Sequence, residues 1–437
     1  MSSPPPVAGQ RLKVLVSCYA CDPTLGSEPG MGGNWVLQLA RHHDLWVLTE
    51  ENRFAPALAD YLERHCPELK PAIHIIGIPR RRYGENIWQH FFYYWTYRCW
   101  QMDAYREAQR LFQQVKFDLI HQLNMIGYRE PGYLWKLPIP YLWGPIGGHA
   151  QMPWRFLPAL ARKGALQHGL RNLLNGIQMR NSLRVKQAMR RADLLLAATR
   201  DDQEAIRRIH GRKAVLLSEV GTDPLSSPAK RESHDKSEPL RVVWCGTFVV
   251  RKALPLALMA IQLAAQKIAV QLHIVGSGVC EQEWKSLAER RGIASLCHWY
   301  GNLPHDRAME IIRRSDVMLF TSLQEATATV VVEALQFGVP VICHDMCGFG
   351  TIIDETCGIK IPVKTPRLSC EMFAEAMVRL AHNPELSQSL SQGALQRARE
   401  STWPNRARIL LECYQLAIQL QGERAKLKAG DGRGSNG

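Results

Sequence analysis

The chain has 437 residues, 46% of them hydrophobic and 22% charged, a composition typical of a folded globular protein and not of an intrinsically disordered one. Its length suits two domains of roughly 150 to 200 residues, and no stretch approaches the roughly 18 consecutive apolar residues of a membrane-spanning helix. Lys and Arg exceed Asp and Glu by 54 − 40 = 14, which indicates an anionic partner: nucleic acid, phosphorylated small molecules or an acidic membrane surface.

The N-terminal residues and the cysteines bear on location and redox state. MSSPPPVAGQ has no basic patch followed by an apolar core, so we expect no secretory signal and a cytoplasmic protein. Several of the 12 cysteines lie inside apolar runs such as VVWC and VICHD, which predicts reduced, buried thiols. Cys18 and Cys21 form a C-x-x-C outside any thioredoxin-like context, and the cysteines around His344 match no common zinc spacing. Neither a disulfide framework nor a metal site is predicted.

In the first half of the chain, short apolar runs alternate with helix-length segments. The runs predicted as buried strands are 13–20, 44–50, 73–79, 118–123, 140–145, 193–199 and 214–220. Apolar strands that alternate with helices predict a parallel sheet covered on both faces, an α/β arrangement.

A linker then separates two such halves. Residues 224–239, PLSSPAKRESHDKSEP, combine proline, serine and charge. Beyond them the predicted strands are 241–246, 270–276, 296–301, 316–322 and 339–344. The sequence therefore predicts two doubly wound α/β domains, 11–223 and 240–400, with chemistry expected in the cleft between them, beyond the carboxyl ends of the strands. A helix at 401–425, packing toward the first domain, and a disordered tail at 426–437 complete the prediction.

Two glutamates lie within the apolar stretch FTSLQEATATVVVEALQFGVPVI, at the edges of its most hydrophobic part. Glu325 is expected in a strand-to-helix loop, and Glu333 about one turn into a helix at 329–337. Because the first N–H groups of a helix are unpaired and carry its positive dipole end, residues 327–329 suit a phosphate. One carboxylate could then bind sugar hydroxyls and the other a ribose. The alternative is a helix acid and a solvated glutamate without a ligand.

Further candidate residues follow the strands of the second domain. Arg251 and Lys252 stand at a predicted helix start, where cations are disfavoured unless an anion such as a diphosphate is bound; a solvated basic pair is the alternative. Gly276 and Gly278 follow a strand, but Glu281 replaces the third glycine of a dinucleotide fingerprint. They predict only a tight turn that lets the backbone approach a ligand.

Taken in order, GTFVVRK, IVGSG, WYGNLPHDR and SDVMLFTSLQEATATVVVEALQFGVPVI resemble the retaining glycosyltransferases of family 4 (group 1 glycosyltransferases). The resemblance implies the GT-B fold, in which two Rossmann-like domains face each other across a cleft. It implies that Arg251 and Lys252 bind the donor diphosphate, that Glu325 contacts the donor sugar, and that Glu333 contacts the ribose. Donor-binding positions also include Gly276, Gly278, Asn302, Leu303, Thr327, Ala328 and Thr329, with Asn302 and Leu303 near the nucleobase.

The chain departs from the family pattern at two places. Thr247 stands where many members have an arginine, and Thr327 and Ala328 replace the common Phe-Gly pair after the first glutamate. Contacts to the phosphates and the donor sugar are therefore expected to differ.

The first domain supports the same resemblance. In YACDPTLGSEPGMGGNW, Gly32 and Gly33 open a predicted helix, and the family's glycine loop there closes over the donor phosphates. His121, at a strand end, is implied to contact the reacting sugar or the acceptor; a structural histidine is the alternative. IPYLWGPIGGHAQMPW resembles a bacterial subgroup with a WGP-x-GG segment, which places Gly147, Gly148 and His149 on the acceptor side.

The resemblance implies transfer of a sugar, with retention, from a UDP- or GDP-linked donor to a glycan or lipid-linked acceptor in cell-surface polysaccharide or glycolipid synthesis. A front-face reaction is expected, in which the cations and the helix dipole stabilise the leaving group, so no metal or other cofactor is predicted. The alternatives are a sugar-nucleotide 2-epimerase and a non-catalytic nucleotide-sugar-binding protein.

The remaining positive charge is concentrated. Nine basic residues and no carboxylate lie between Arg155 and Arg191, with leucines and Trp154 among them, and residues 80–100 join an arginine triplet to nine aromatics. Such stretches predict peripheral binding to an anionic inner-leaflet membrane surface, here through 80–100 and 154–191. Core-packing helices with solvated basic faces are the alternative. Because no DNA- or RNA-binding module is recognisable, no nucleic-acid partner is predicted.

Overall fold

The computed structural model describes residues 11–80, 89–159, 162–224 and 238–431. They form two compact units: the first is Met1–His149, Gln178–Glu219 and Trp403–Gly437, and the second is Ala150–Ile177 and Val220–Thr402. Residues 150–177, predicted with the first domain, thus lie in the second unit. Most of the predicted linker, and residues 432–437 of the predicted tail, lie outside the described residues.

The first unit is built on a seven-stranded parallel sheet of order β3-β2-β1-β4-β5-β6-β7. Its strands are β1 Lys13–Cys18, β2 Asp44–Glu50, β3 Ile73–Ile78, β4 Leu119–Asn124, β5 Tyr141–Ile146, β6 Leu194–Ala197 and β7 Val215–Leu216. Each of the seven predicted runs overlaps one of them, and β4 and β5 each extend one residue beyond the predicted end, so those predictions are confirmed.

Helices cover both faces of this sheet, as apolar strands require. They are α1 Ser27–Ala40, α2 Phe54–His65, α3 Gln89–Gln114, α5 Leu183–Arg191, α6 Arg200–His210 and α14 Trp403–Asp431. Alternate residues of β1 enter two cores: Val14 and Val16 pack with α1 and α14, whereas Leu15 packs with α3. The helix predicted at 401–425 thus packs on the first sheet and continues to Asp431.

The second unit has a six-stranded parallel sheet of order β10-β9-β8-β11-β12-β13. Its strands are β8 Leu240–Cys245, β9 Val270–Val275, β10 Cys297–Gly301, β11 Val317–Phe320, β12 Val341–His344 and β13 Gly358–Ile361. Its helices are α7 Leu254–Ala264, α8 Glu281–Arg290, α9 His305–Arg314, α10 Thr329–Gln336, α11 Cys347–Ile352, α12 Pro366–His382 and α13 Pro384–Glu400. The five predicted strands are confirmed, and β13 is additional.

Helix α4, Arg162–Asn181, follows a 3-10 turn at Trp154–Ala159. The packing of this turn and the residues before it explains why residues 150–177 belong to the second unit. Met152 and Phe156 are buried in a cluster with residues of α7 and the β11–α10 loop, and Phe156 packs edge-on against the buried His344 at 5.7 Å between ring centroids.

In each sheet the strand that comes first in the sequence lies in the interior, between the second and the fourth strand of that sheet. β1 lies between β2 and β4, and β8 between β9 and β11. The predicted fold class, two Rossmann-like parallel α/β domains, is confirmed. Ligands of such sheets bind beyond the carboxyl ends of the strands where the order reverses, which in the second unit is the edge shared by β8 and β11.

Candidate functional site

Two loops of the second unit leave this edge side by side. β8 is followed by the loop that carries Arg251 and Lys252, and its parallel neighbour β11 by the loop that carries Glu325. The N–H of Leu323 donates to the carbonyl of Arg251 over 2.8 Å, and the Thr321 hydroxyl donates to that of Lys252 over 3.1 Å. Strand pairing and these contacts therefore bring the predicted basic pair beside the first glutamate.

Glu325 is bound to both cations. Its Oε1 lies 2.6 Å from Lys252 Nζ and also contacts Nη1 of Arg251, and Ser322 Oγ, which the sequence did not single out, donates to it over 2.9 Å. Lys252 Nζ also lies 5.3 Å from the centroid of the Phe320 ring, a cation–π contact. The side chains of Lys252 and Glu325 are each only 13% exposed. This cation cluster, Arg251, Lys252 and Glu325, carries two positive charges and one negative charge.

Glu333 lies on α10 and has a different partner. Its Oε1 is 2.9 Å from Nε2 of His305, the first residue of α9. The hydrogen bond to Glu333 raises the pKa of His305 above its ordinary value. The pKa of the Cys245 thiol, at the end of β8, is raised to about 11, mainly by burial; the charge of Glu333 adds to the rise and that of Lys252 opposes it. Cys245 is thus within electrostatic reach of both Glu333 and the cation cluster.

His305 was missed because the sequence gives no sign that it meets Glu333. The two residues are 28 positions apart on different helices. Only the packing of α9 beside α10 brings them together. The sequence offered one weak signal, since His305 directly follows the WYGNLP segment that carries two predicted donor-binding residues.

The start of α10 agrees with the prediction for residues 327–329. The helix runs from Thr329 to Gln336, its N-cap residue is Ala328, and in the described part of the chain no side chain caps it. A backbone hydrogen bond anchors the loop before α10: the N–H of Gly348 donates to the carbonyl of Ala326 over 2.8 Å. A phosphate-binding role for Thr327, Ala328 and Thr329 stays a prediction.

Gly276 and Gly278 have a demonstrable structural role. Both have positive φ, 132° and 155°, and a Cβ on Gly276 would come within 2.0 Å of the carbonyl oxygen of Gly246. A Cβ on Gly278 would lie 2.7 Å from the carbonyl oxygen of Phe248. These glycines therefore let the β9 turn support the loop that carries the basic pair. Their contact with a donor stays a prediction, as it does for Asn302 and Leu303, which connect β10 to α9.

In the first unit, Gly32 and Gly33 do not open a helix, because α1 begins at Ser27. They lie inside α1, where a Cβ on Gly32 would be 2.3 Å from the carbonyl oxygen of Ala20 and one on Gly33 would be 2.5 Å from the nitrogen of Pro23. The glycines thus allow α1 to pack against the loop after β1. Their role with donor phosphates is still untested.

His121 is bonded within the first unit, which favours the structural alternative; its contact with a sugar or an acceptor stays a prediction. The residue is fully buried, with Nδ1 2.8 Å from the Tyr414 hydroxyl and Nε2 2.7 Å from the Gly144 carbonyl oxygen. Burial lowers its pKa to about 4, so the ring is neutral at pH 7 and both nitrogens are satisfied. The sequence held the signal: His121 alternates with Leu119 and Leu123, which pack into the α1–α14 core.

His149 is buried but oriented by a carboxylate. Its Nδ1 and its backbone N–H lie 2.9 and 3.0 Å from Oδ1 of Asp202, and its ring stacks on Tyr128 at 4.4 Å between centroids. Nε2 has no hydrogen-bond partner among the described residues. Gly147 and Gly148 precede it, Gly148 with a φ of 89°. Asp202 was missed because it lies in α6, far along the chain; the acceptor-side roles stay predictions.

The predicted membrane segments contain structural residues. Residues 81–88 lie outside the described residues, and downstream of them Tyr97 and Trp100 are buried in the core of the first unit. In the stretch 154–191, Arg184 pairs with Glu130 and Arg191 lies 3.2 Å from Asp193. Part of the predicted basic and aromatic surface is therefore used within the fold.

Among the described residues, no three His, Cys, Asp or Glu side chains are grouped so that they could hold a metal ion. Across the same residues, no helix has both the length and the hydropathy needed to cross a bilayer.

Comparison with known proteins shows similarity to glycosyltransferases. Residues 226–397 match the family model of Glycosyl transferases group 1. A D-inositol 3-phosphate glycosyltransferase of Streptomyces griseus is 27% identical over 157 residues, 36% of this chain and 32% of the relative. The lipopolysaccharide glucosyltransferase WaaG of Escherichia coli is 28% identical over 138 residues, 31% of this chain and 32% of the relative. The chain thus spans about a third of the length of these curated relatives.

Solved structures extend the similarity of fold to nearly the whole chain. Sucrose-phosphate synthase from Thermosynechococcus elongatus superposes with a TM-score of 0.60 at 16% identity, covering 93% of this chain and 98% of that one. Anabaena Alr3699/HepE, solved in complex with UDP and glucose, gives 0.55 at 15% identity, covering 92% and 99%. The chain therefore has the fold of these two proteins, and its residues 226–397 match the group 1 family in sequence.

Proposed function

We propose that the protein is a retaining glycosyltransferase of family 4, which moves a sugar from a UDP- or GDP-linked donor to a glycan or lipid-linked acceptor. The observation that carries the proposal is the cation cluster, in which Arg251 and Lys252 converge on Glu325 at the carboxyl edge of the second sheet. The cluster lies in the loops directly before α7 and α10.

The charge of the cluster suits a diphosphate. With two cations and one carboxylate, the loops retain one net positive charge in a setting where Lys252 is only 13% exposed. At low exposure a charge interacts more strongly with a partner than it does in bulk water. A diphosphate entering beside the uncapped start of α10 would take over the contacts of the two cations. Glu325 would then be released to accept hydrogen bonds from hydroxyls of the donor sugar.

The same geometry suits departure of a nucleoside diphosphate. Lys252 lies over the face of Phe320, a contact that does not depend on Glu325, so its charge needs little reorganisation as negative charge develops on the leaving group. In the proposed front-face reaction, the acceptor hydroxyl attacks on the side from which the diphosphate leaves and loses its proton to it. The anomeric configuration of the sugar is thereby retained.

Glu333 is proposed to hold the ribose. Its carboxylate is 18% exposed and is oriented by His305, which is 67% exposed and can therefore move away. Two ribose hydroxyls could donate to the carboxylate in place of the imidazole. Asn302 and Leu303, which lead into α9, are proposed to approach the nucleobase.

The relatives support the substrate class and the setting. WaaG is named as a lipopolysaccharide glucosyltransferase, and HepE binds UDP and glucose. A nucleotide sugar as donor fits the ligands of HepE, and a cell-surface polysaccharide or glycolipid as product fits the name of WaaG. We propose that the protein acts in the cytoplasm, at the inner face of the membrane, and that it requires neither a metal ion nor another cofactor.

The test measures nucleotide release from a panel of UDP- and GDP-sugars, with and without acceptor. Release that depends on acceptor, persists in EDTA and yields an α-linked product from an α-linked donor supports the proposal. Conversion of the donor without acceptor would identify a 2-epimerase instead, and binding without release a non-catalytic binder.

A matched pair of variants assigns the activity to the site. Lys252→Ala is expected to lower turnover by about 10²-fold, because a preorganised cation at the leaving group is lost. Lys267→Ala removes an exposed lysine beyond the end of α7 and should leave turnover unchanged. Equal turnover in the two variants would overturn the assignment of Lys252.

A further inference from the structure

Helix α4 presents an apolar surface to solvent. Its exposed aliphatic residues are Leu166 (76% exposed), Leu170 (54%), Leu173 (55%), Leu174 (56%) and Ile177 (51%). At about 100° per residue these positions fall within an arc of roughly 100°, so they form one continuous stripe along the helix. Exposed aliphatic residues scattered singly are ordinary, but a contiguous patch marks a surface that meets a partner.

The opposite face of α4 is polar and buried. Asn172 is 2% exposed and Asn175 6%. The side chain of Asn172 donates from Nδ2 to the carbonyl of Met152 over 2.7 Å and accepts at Oδ1 from the N–H of Met152 over 3.2 Å. Gly169 is directed at the 3-10 turn, because a Cβ on it would lie 3.7 Å from Leu157 and 3.9 Å from Trp154. These contacts fix the rotation of the helix, so the leucines cannot turn inward without leaving buried polar groups unpaired.

The charge around the stripe favours an anionic partner. No Asp or Glu lies between Glu130 and Asp193 in the sequence. Arg171 is exposed on α4, and Arg155 is exposed beside Trp154, itself 57% exposed, in the turn that leads to the helix. A second copy of this chain, docked stripe to stripe, would bring arginines toward arginines, which is unfavourable. An anionic bilayer offers acyl chains to the leucines and head groups to the arginines.

We propose that this α4 stripe (Leu166, Leu170, Leu173, Leu174 and Ile177) docks the protein on the surface of an anionic lipid bilayer. The helix would lie in the plane of the interface with the leucines among the upper acyl segments, as basic amphipathic helices do. Trp154 suits the same depth, since indole rings favour the membrane–water interface. The proposal concerns the place where the protein acts; it rests on no residue of the cation cluster and stands independently of the proposed donor chemistry.

Vesicle flotation of the full chain tests the proposal. The protein is expected to float with vesicles of phosphatidylcholine that contain phosphatidylglycerol, and much less with phosphatidylcholine alone or at high salt. The double variant Leu170→Asn/Leu174→Asn should lose at least about 10-fold in apparent affinity, because each leucine contributes burial in the bilayer. The control Leu416→Asn/Leu427→Asn changes two leucines of α14 that are 38% and 72% exposed and should float like the wild type.

Two further measurements distinguish lipid binding from misfolding and from self-association. The midpoint of urea denaturation of the Leu170→Asn/Leu174→Asn variant should match that of the wild type, which shows that the variant is folded. Sedimentation at increasing protein concentration should show no self-association that this variant abolishes. Equal flotation of the double variant and its control would overturn the proposal, and so would a wild-type dimer that the variant disrupts, which would make the stripe a contact between copies.

Discussion

Helices α10 and α4 bury opposite kinds of residue. α10 packs Val331, Val332 and Leu335 into the core beside the second sheet and turns Glu333 toward His305. α4 does the reverse, burying asparagines and exposing leucines over residues 166–177. Both helices carry aliphatic residues at helical spacing, so composition does not distinguish them. The difference lies in what the inward face contacts: a sheet accepts aliphatic side chains, whereas the backbone of Met152 requires an amide.

A leucine-to-alanine substitution in each helix tests this comparison through the free energy of unfolding. Leu335→Ala, in α10, removes a fully buried side chain and should lower the free energy of unfolding by about 2 to 5 kcal/mol. Leu174→Ala, in α4, removes a side chain that is 56% exposed and should change it by no more than about 0.5 kcal/mol. Urea denaturation of the full chain measures both. A cost at Leu174 as large as that at Leu335 would show that α4 packs its leucines inward in solution.

A second substitution tests whether the polar face of α10 binds the nucleotide. Glu333→Gln keeps the size of the side chain but removes its charge, so it should weaken UDP or GDP binding by about 10-fold through loss of charge-assisted hydrogen bonds to the ribose. Stability should fall by less than about 1 kcal/mol, because the partner that Glu333 loses, His305, is 67% exposed. Calorimetric titration measures the affinity, with Glu289→Gln, an exposed glutamate of α8, as the control. Unchanged nucleotide affinity would remove Glu333 from the ribose site.

The smallest expected effect concerns pH. The pKa of His305 is raised by Glu333, so the pair is most stable below the ordinary histidine pKa of about 6.5 and weakens as the pH rises through the raised value. If the ribose must displace His305, nucleotide affinity should increase by about two- to threefold from roughly pH 6 to pH 8. His305→Ala should show less of this increase, leaving only that due to the diphosphate itself. The same pH dependence in both proteins would argue against displacement of His305.

The sequence predicts the fold well because its signals are local. Every predicted run overlaps a strand, since apolar runs bounded by helical segments are typical of parallel sheets. One strand, β13, was not predicted. Gly358–Ile361 has only four residues, one a glycine and one a lysine, and two of them are only partly buried, so it lacks the signal of an apolar run. The family resemblance implied that Arg251, Lys252 and Glu325 bind one donor, and the structure brings the three together in the loops after the paired strands β8 and β11.

What the sequence did not predict depends on tertiary packing. The hydrogen bond between His305 and Glu333 joins two helices, and the one between Asp202 and His149 joins α6 to the loop after β5. The inward asparagines of α4 could not be recognised, because a leucine stripe at helical spacing looks the same whether it faces a core or a membrane. Charge alone pointed to this helix, whereas the burial of Asn172 shows which way it faces.

The path of the chain has a consequence for how the protein is made. Tyr414 of α14 lies in the core of the first sheet and bonds to His121 of β4, although 293 residues separate them. Domains usually complete their folding in the order in which the ribosome delivers them. Here the first unit can complete its core only after the second unit has been synthesised, because α14, which packs on one apolar face of its sheet, lies at the C-terminal end of the chain.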